Sequence, residues 1–140
     1  MTIHTRRLLA AVLAFGFSAS AWSYDLAGEW SLKVENPSHH LVTTLTIEFT
    51  NKSAHSCLGG NWKSVNIVYA TTEDTHFYPV SDSLSYNIEN NQITIGRNEI
   101  CDAYLMLSGA FSGETIRGEY YSFGLGGSST LGFFTLSRKK

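Results

Sequence analysis

From residue 24 onward, apolar and polar side chains alternate in short runs, and no stretch follows the 3.6-residue period of a helix. Leu41–Thr50 is the cleanest run: Leu41, Thr43, Leu45, Ile47 and Phe49 fall on one face, and Val42, Thr44, Thr46, Glu48 and Thr50 on the other. Glu29–Asn36 places Trp30, Leu32 and Val34 together and ends at Pro37-Ser38. Asn61–Thr71 follows Gly59-Gly60 and puts Val65, Ile67 and Tyr69 on one face. Further strands are predicted at Ser83–Glu89, Gln92–Arg97, Asp102–Phe111, Glu114–Phe123 and Thr130–Arg138. His76–Val80 is a short run carrying Pro79, which suits an edge or an irregular connection.

The punctuation between these runs is that of hairpins. Asn90-Asn91 supplies two residues that tolerate positive φ, and Ser112-Gly113 marks a second tight turn. Eight or nine strands joined in series, with neither repeat unit nor linker, predict one all-β domain over residues 24–140. A sheet that long in so short a chain removes its edges by closing. The expected fold is an antiparallel up-and-down barrel of 8–9 strands, with a two-sheet sandwich as the alternative.

Residues 1–23 read as a secretory leader rather than as part of this fold. Arg6 and Arg7 form a basic start, Leu8 to Phe17 an apolar run too short to span a bilayer, and Ala19-Ser20-Ala21 or Ala21-Trp22-Ser23 a small-x-small cleavage site. The bulky aromatic that a twin-arginine signal carries two residues after its arginines is missing, and no cysteine at the cleavage site offers a lipid anchor. An exported protein, periplasmic or secreted, with no membrane insertion of the mature chain, is the expectation. Beyond residue 23 the chain has eight Lys or Arg against twelve Asp or Glu. That balance argues against nucleic acid and anionic membrane surfaces, which need clustered cations. Arg138-Lys139-Lys140 is the one basic cluster and reads as a solubilising end.

Cys57 and Cys101 are the two cysteines, and an even pair in an exported chain predicts one disulfide. In an up-and-down barrel successive connections alternate between ends. With eight strands the connections holding Cys57 and Cys101 fall at opposite ends, too far apart to bond. Counting His76–Val80 as a crossing brings them to the same end. Residues 72–82 are therefore predicted to traverse the barrel wall, as a strand or a long extended segment.

Candidate chemistry is sparse. Aromatic residues are abundant, and Phe49, Tyr69, Tyr86, Tyr104 and Tyr120 are candidates to line a cavity for a flat or apolar ligand. Ordinary filling of a narrow bore explains the same composition. His39 and His40 are adjacent and point to opposite sides of an extended chain. His55 neighbours a cysteine consumed by the disulfide, and Asp74-Thr75-His76 lacks a third ligand, so neither metal nor cofactor is expected. No nucleophile, catalytic triad or carboxylate pair stands in a recognisable context, and no enzymatic activity is expected. Gly124-Leu125-Gly126-Gly127 leads into a strand rather than a helix, so it reads as a flexible hairpin loop at the barrel mouth and not as a phosphate cradle.

Gly28-Glu29-Trp30 resembles the Gly-x-Trp opening strand of the calycins, the group of lipocalins and fatty-acid-binding proteins. In that group an Arg or Lys of the last strand packs across the tryptophan and closes the barrel. The resemblance implies a lipocalin-like barrel closed by Trp30 and Arg138. The run Asp25–Leu32 is also similar to the start of small periplasmic inhibitors of bacterial metalloproteases, exported barrels whose N-terminal tail blocks the enzyme cleft. Avidins share Gly-x-Trp, but Lys33–Asn36 has no counterpart of their biotin contacts. Two functions follow as expectations: carriage of a small apolar or aromatic ligand within the barrel, or binding of a protein partner as an enzyme inhibitor or immunity-type factor.

Overall fold

The computed structural model describes residues 24–140; the leader expected over 1–23 lies outside them. The alternating runs become eight antiparallel strands: β1 (Glu29–Glu35), β2 (Leu41–Ser53), β3 (Lys63–Thr72), β4 (Leu84–Glu89), β5 (Gln92–Arg97), β6 (Ala103–Ser112), β7 (Thr115–Gly124) and β8 (Gly127–Arg138). Each strand pairs with the next, and β8 returns to β1 from Trp30↔Arg138 to Glu35↔Phe133, closing the barrel. The up-and-down barrel is thus the fold, and no helix is present among the described residues.

Inward positions hold one continuous apolar core. Leu32, Leu45, Ile47, Ile93, Ile95, Ile116, Tyr120 and Leu136 each have 0% of their surface exposed. Two inward glycines permit this closeness. A methyl group on Gly118 would sit 1.9 Å from the Ser108 carbonyl oxygen, and one on Gly132 would sit 2.0 Å from that of Glu35. At both, the backbone of the neighbouring strand approaches too closely for a side chain.

The hairpins follow their turn chemistry. Asn90 and Asn91 adopt φ of 50° and 65° between β4 and β5. The β6–β7 turn closes one residue later than expected, on Gly113-Glu114. The expected flexible loop at Gly124–Gly127 is instead a tight turn, with Gly124 paired to Gly127 and only Leu125-Gly126 between them.

Cys57 and Cys101 are bonded, yet beyond Thr72, the last residue of β3, residues 73–82 form neither a strand nor a long extended segment. The expectation of a ninth crossing strand fails because the wall is uneven. β3 pairs with β4 only from Lys63↔Tyr86 to Val65↔Leu84, and the chain returns from Thr72 to Leu84 through a series of turns. The β4–β5 hairpin is accordingly short and displaced along the barrel axis. Residues 54–62 fold back along the outer wall rather than capping an end, and pack Leu58 and Trp62 near Tyr104 and Met106. Buried Asn98 secures that path: its carbonyl accepts from Cys57 N–H (2.9 Å), its Nδ2 donates to Ser56 Oγ (2.7 Å), and its Oδ1 accepts from Ser85 (2.5 Å).

The disulfide closes a loop of sequence separation 44, which in the chain-entropy treatment is worth about 4 kcal/mol. The Cys57→Ser/Cys101→Ser variant is expected to lose up to that amount in urea unfolding while keeping its far-ultraviolet spectrum, since neither sulfur belongs to the interior core. Collapse of the β spectrum in buffer would show instead that the crosslink is needed to form the barrel.

Candidate functional site

At the end of the barrel where the described chain begins, the first residues fold across the opening. Gly28, at φ +86°, turns the chain into β1. Trp30 then lies inside the rim, its Nε1 donating to the Leu26 carbonyl at 3.1 Å. The Arg138 guanidinium stacks over the indole at 4.8 Å from the ring centroid and donates to the carbonyls of Asp25 and Ala27. Tyr24 stacks on Phe111 with ring centroids 3.8 Å apart. Trp30 and Arg138 therefore meet as the closing pair, and Arg138 also straps the N-terminal segment to the barrel.

Beside this strap lies a cleft of about 750 Å³. Phe49 and Tyr86 form its apolar floor, and Asn51, Asn61, Lys63 and Glu89 its polar margin. Phe49 packs edge-on against both Trp30 (5.9 Å) and Tyr86 (4.9 Å), and the Tyr86 hydroxyl donates to the Thr50 carbonyl at 2.9 Å. A smaller cleft of about 380 Å³ lies on the outer wall beyond Asn87 and Glu89, over Trp62, Met106, Tyr121 and Phe123.

The opposite end is sealed by the β3–β4 connection. Asp74 Oδ1 accepts from the backbone N–H groups of His76 and Phe77, coiling the chain so that Phe77 and Tyr78 turn inward onto Tyr120. Tyr120 donates its hydroxyl to the Phe77 carbonyl at 2.6 Å. Arg97 pairs with Asp82 at 2.8 Å and donates to the Ala103 carbonyl, tying the connection to β5 and β6.

Of the five aromatic residues expected to line a cavity, the fold brings three to the inner face, and even these do not surround one space. Phe49 and Tyr86 floor the end cleft, while Tyr120 is enclosed in the sealed half. Tyr69 lies outside and is 67% exposed. Thr46 pairs with Tyr69 and Ile47 with Ile67, so Val68 is an extra, bulged residue that reverses the inward–outward parity of everything after it. Tyr104 also faces outward, stacked on Phe123 at 4.6 Å within the outer apolar cluster. Both faces of β6 are apolar, because one meets the core and the other meets the folded-back 54–62 segment. Alternation alone does not distinguish them.

Asn98 and the outer cluster were not anticipated from the sequence; a buried amide in a turn leaves no periodic signal. His39 is held by Glu35 (3.2 Å) and stacked on Phe133 (4.6 Å). Among the described residues no three His, Cys, Asp or Glu side chains come together as a metal-binding group. No family model, curated protein or solved structure matches the chain.

Burial pushes the Tyr120 hydroxyl up to about 12, with Arg97 partly opposing the rise, and burial raises Tyr78 as well, reinforced by Tyr120. Both phenols favour the neutral state in the fold. Their stabilisation is whole below the unfolded value of 10 and is lost as pH climbs from there through about 12. Urea midpoints measured across this range are expected to fall, and Tyr120→Phe is expected to flatten the fall; an unchanged pH slope in that variant would remove Tyr120 as its source.

Arg138→Ala is expected to cost about 1–2 kcal/mol, from the lost cation–π contact and carbonyl hydrogen bonds. It should also shift Trp30 fluorescence to longer wavelength as the strap loosens. Unchanged emission with lowered stability would show that the strap is held by Leu26 and Tyr24 alone.

Proposed function

We propose that this protein is an exported, non-catalytic binding protein of calycin type that engages another protein through the strapped rim of its barrel. The observation that carries this reading is the filled interior. A side chain with 0% exposure touches neither solvent nor an internal void of water size, and nine of the inward side chains, Val34 included, are in that state. A barrel packed in this way keeps its recognition chemistry on its outside. The rim combines aromatic side chains with amides, two carboxylates (Asp25 and Glu89) and one ammonium (Lys63), a composition suited to protein surfaces.

Calycin membership is part of the same proposal and is supported by the Trp30–Arg138 stack. Export is supported by the leader-like residues 1–23 and by a disulfide suited to an oxidising compartment. An inhibitor of a secreted enzyme or an immunity-type factor fits this description. A second reading, favoured by the end cleft, is that a small apolar ligand binds at the rim against Phe49 and Tyr86 rather than within the bore.

Affinity-tagged protein recovered from its own host and examined by native mass spectrometry separates the two. The proposal expects a protein adduct whose yield drops at least about tenfold with Asn87→Arg/Glu89→Lys. A retained small molecule with no protein adduct would overturn it in favour of the second reading.

A further inference from the structure

The smaller cleft, on the outer wall, has two unlike sides. One is apolar: Trp62 stands on the folded-back 54–62 segment, and half-buried Tyr121 and Phe123 on β7. Phe123 is backed by Tyr104 at 4.6 Å and flanked by Tyr121 at 6.3 Å with the ring planes 29° apart, so these rings are held in place. Met106 forms the floor, lying across Gly96, where a methyl group would meet its Sδ at 2.0 Å. The Trp62 indole N–H is already given to the Gly59 carbonyl at 3.0 Å. The other side is polar and belongs to the β4–β5 hairpin. Asn87 pairs with Thr94 and Glu89 with Gln92, which gathers the four side chains into one patch. Asn87 Nδ2 donates to Glu89 Oε1 and Gln92 Nε2 to Ser108 Oγ, both at 2.9 Å. Both amides are thus oriented in the free protein, and their carbonyl oxygens have no partner among the described residues.

Charge and pairing narrow what such a cleft takes. Among the described residues no lysine or arginine lines it, so it holds no counterion for a phosphate, sulfate or carboxylate. Its one carboxylate, Glu89, is exposed and already accepts from Asn87. Strand addition by a peptide is closed, because β4 to β7 are paired strand to strand along this patch. A wholly apolar ligand would take water from the amides without replacing its hydrogen bonds. What remains is a small uncharged molecule with C–H groups on one face and hydroxyls around its edge. A pyranose ring has that form, and each of its hydroxyls both donates and accepts, as the amides and the Thr94 hydroxyl do.

We infer that this outer cleft is a binding site for an uncharged sugar residue, seated against Tyr121 and Phe123 and hydrogen-bonded along its edge by Asn87, Gln92 and Thr94. The volume of about 380 Å³ falls at the lower end of the range for small-ligand sites, about 300–1,000 Å³. It suits a single sugar or the end residue of a longer chain. Both sides are fixed beforehand, the apolar one through Cys57–Cys101 and Asn98, the polar one by its tight Asn90-Asn91 turn. The site goes beyond the rim reading and does not rest on it; the two clefts share only Asn87 and Glu89 at their margin.

The test is titration of the isotope-labelled, disulfide-bonded mature chain with neutral hexoses, N-acetylhexosamines and their disaccharides, with sulfated and sialylated sugars as charged counterparts. At least one neutral sugar is expected to cause saturable shifts centred on the amides of Gln92, Thr94 and Tyr121 and on the Trp62 indole. Tyr121→Ala should weaken that binding at least about tenfold. Gln92→Ala, at an exposed position that leaves the outer cluster intact, should weaken it about three- to tenfold. No response to any neutral sugar would overturn the inference. So would shifts centred elsewhere, an equal response to the charged sugars, or an affinity indifferent to both variants. Loss of a captured protein with Gln92→Ala, without sugar binding, would assign the cleft to a protein interface instead. Gln92 and Tyr121 do not line the rim cleft, so failure here leaves the rim proposal standing.

Discussion

Closing eight strands into a barrel fixes a bore just wide enough for side chains to fill, and the rest of this protein is arranged around that constraint. Leucine, isoleucine and valine occupy most inward positions, while Tyr120 and Phe134 supply the bulk. Room for those rings comes from glycine: Gly132 is paired beside Tyr120, and a methyl on Gly109 would approach Phe134 to 3.0 Å. A bore filled in this way has to be stopped at both ends, or the core would face water. Trp30 with the Arg138-held strap stops one end. The coiled connection bearing Phe77 and Tyr78 stops the other.

The same constraint accounts for the weak seam. Residues 73–83 are spent on plugging the sealed half, so they cannot also extend β4, and β3 and β4 share only three paired positions. The short β4–β5 hairpin therefore needs support from another direction. It receives it from outside, where residues 54–62 lie along the wall, bonded through Cys57–Cys101 and hydrogen-bonded through Asn98 to Ser85 of β4 itself. The crosslink ties the folded-back segment to the β5–β6 connection, and its loop-closure entropy adds to the support that the short hairpin receives.

Strands, order and closure were legible in the sequence because alternation, turn residues and chain length all pointed the same way. Trp30 with Arg138 was legible through the resemblance of the first strand. What escaped detection has a common physical origin. A single bulged residue at Val68 inverted the parity that placed Tyr69 inside, and no composition announces a bulge. Tyr104 was misplaced because β6 is apolar on both faces, the outer one being covered by a segment distant in sequence. The ninth crossing was inferred from connections alternating between ends of equal height, whereas unequal strand lengths and a folded-back loop let Cys57 reach Cys101 without it. In each case a departure from regular pairing, or a covering segment distant in sequence, overrode a local pattern.

The elements around the rim are each held by a different device, and this bears on how such a surface could bind. The strap is fixed by Arg138 and by the Trp30 indole N–H to Leu26; the 54–62 segment by a covalent bond and by Asn98; the β4–β5 turn by two asparagines already in the left-handed region. A partner meeting three loops free to move would have to order them, at about 0.5–1.5 kcal/mol for each immobilised side chain. Here that ordering is completed when the barrel folds. A rigid rim around a solid core favours recognition by shape, with little adjustment on binding, and it makes the surface sensitive to distant changes: loosening the disulfide or the Arg138 stack alters the rim without touching a residue that a partner would contact.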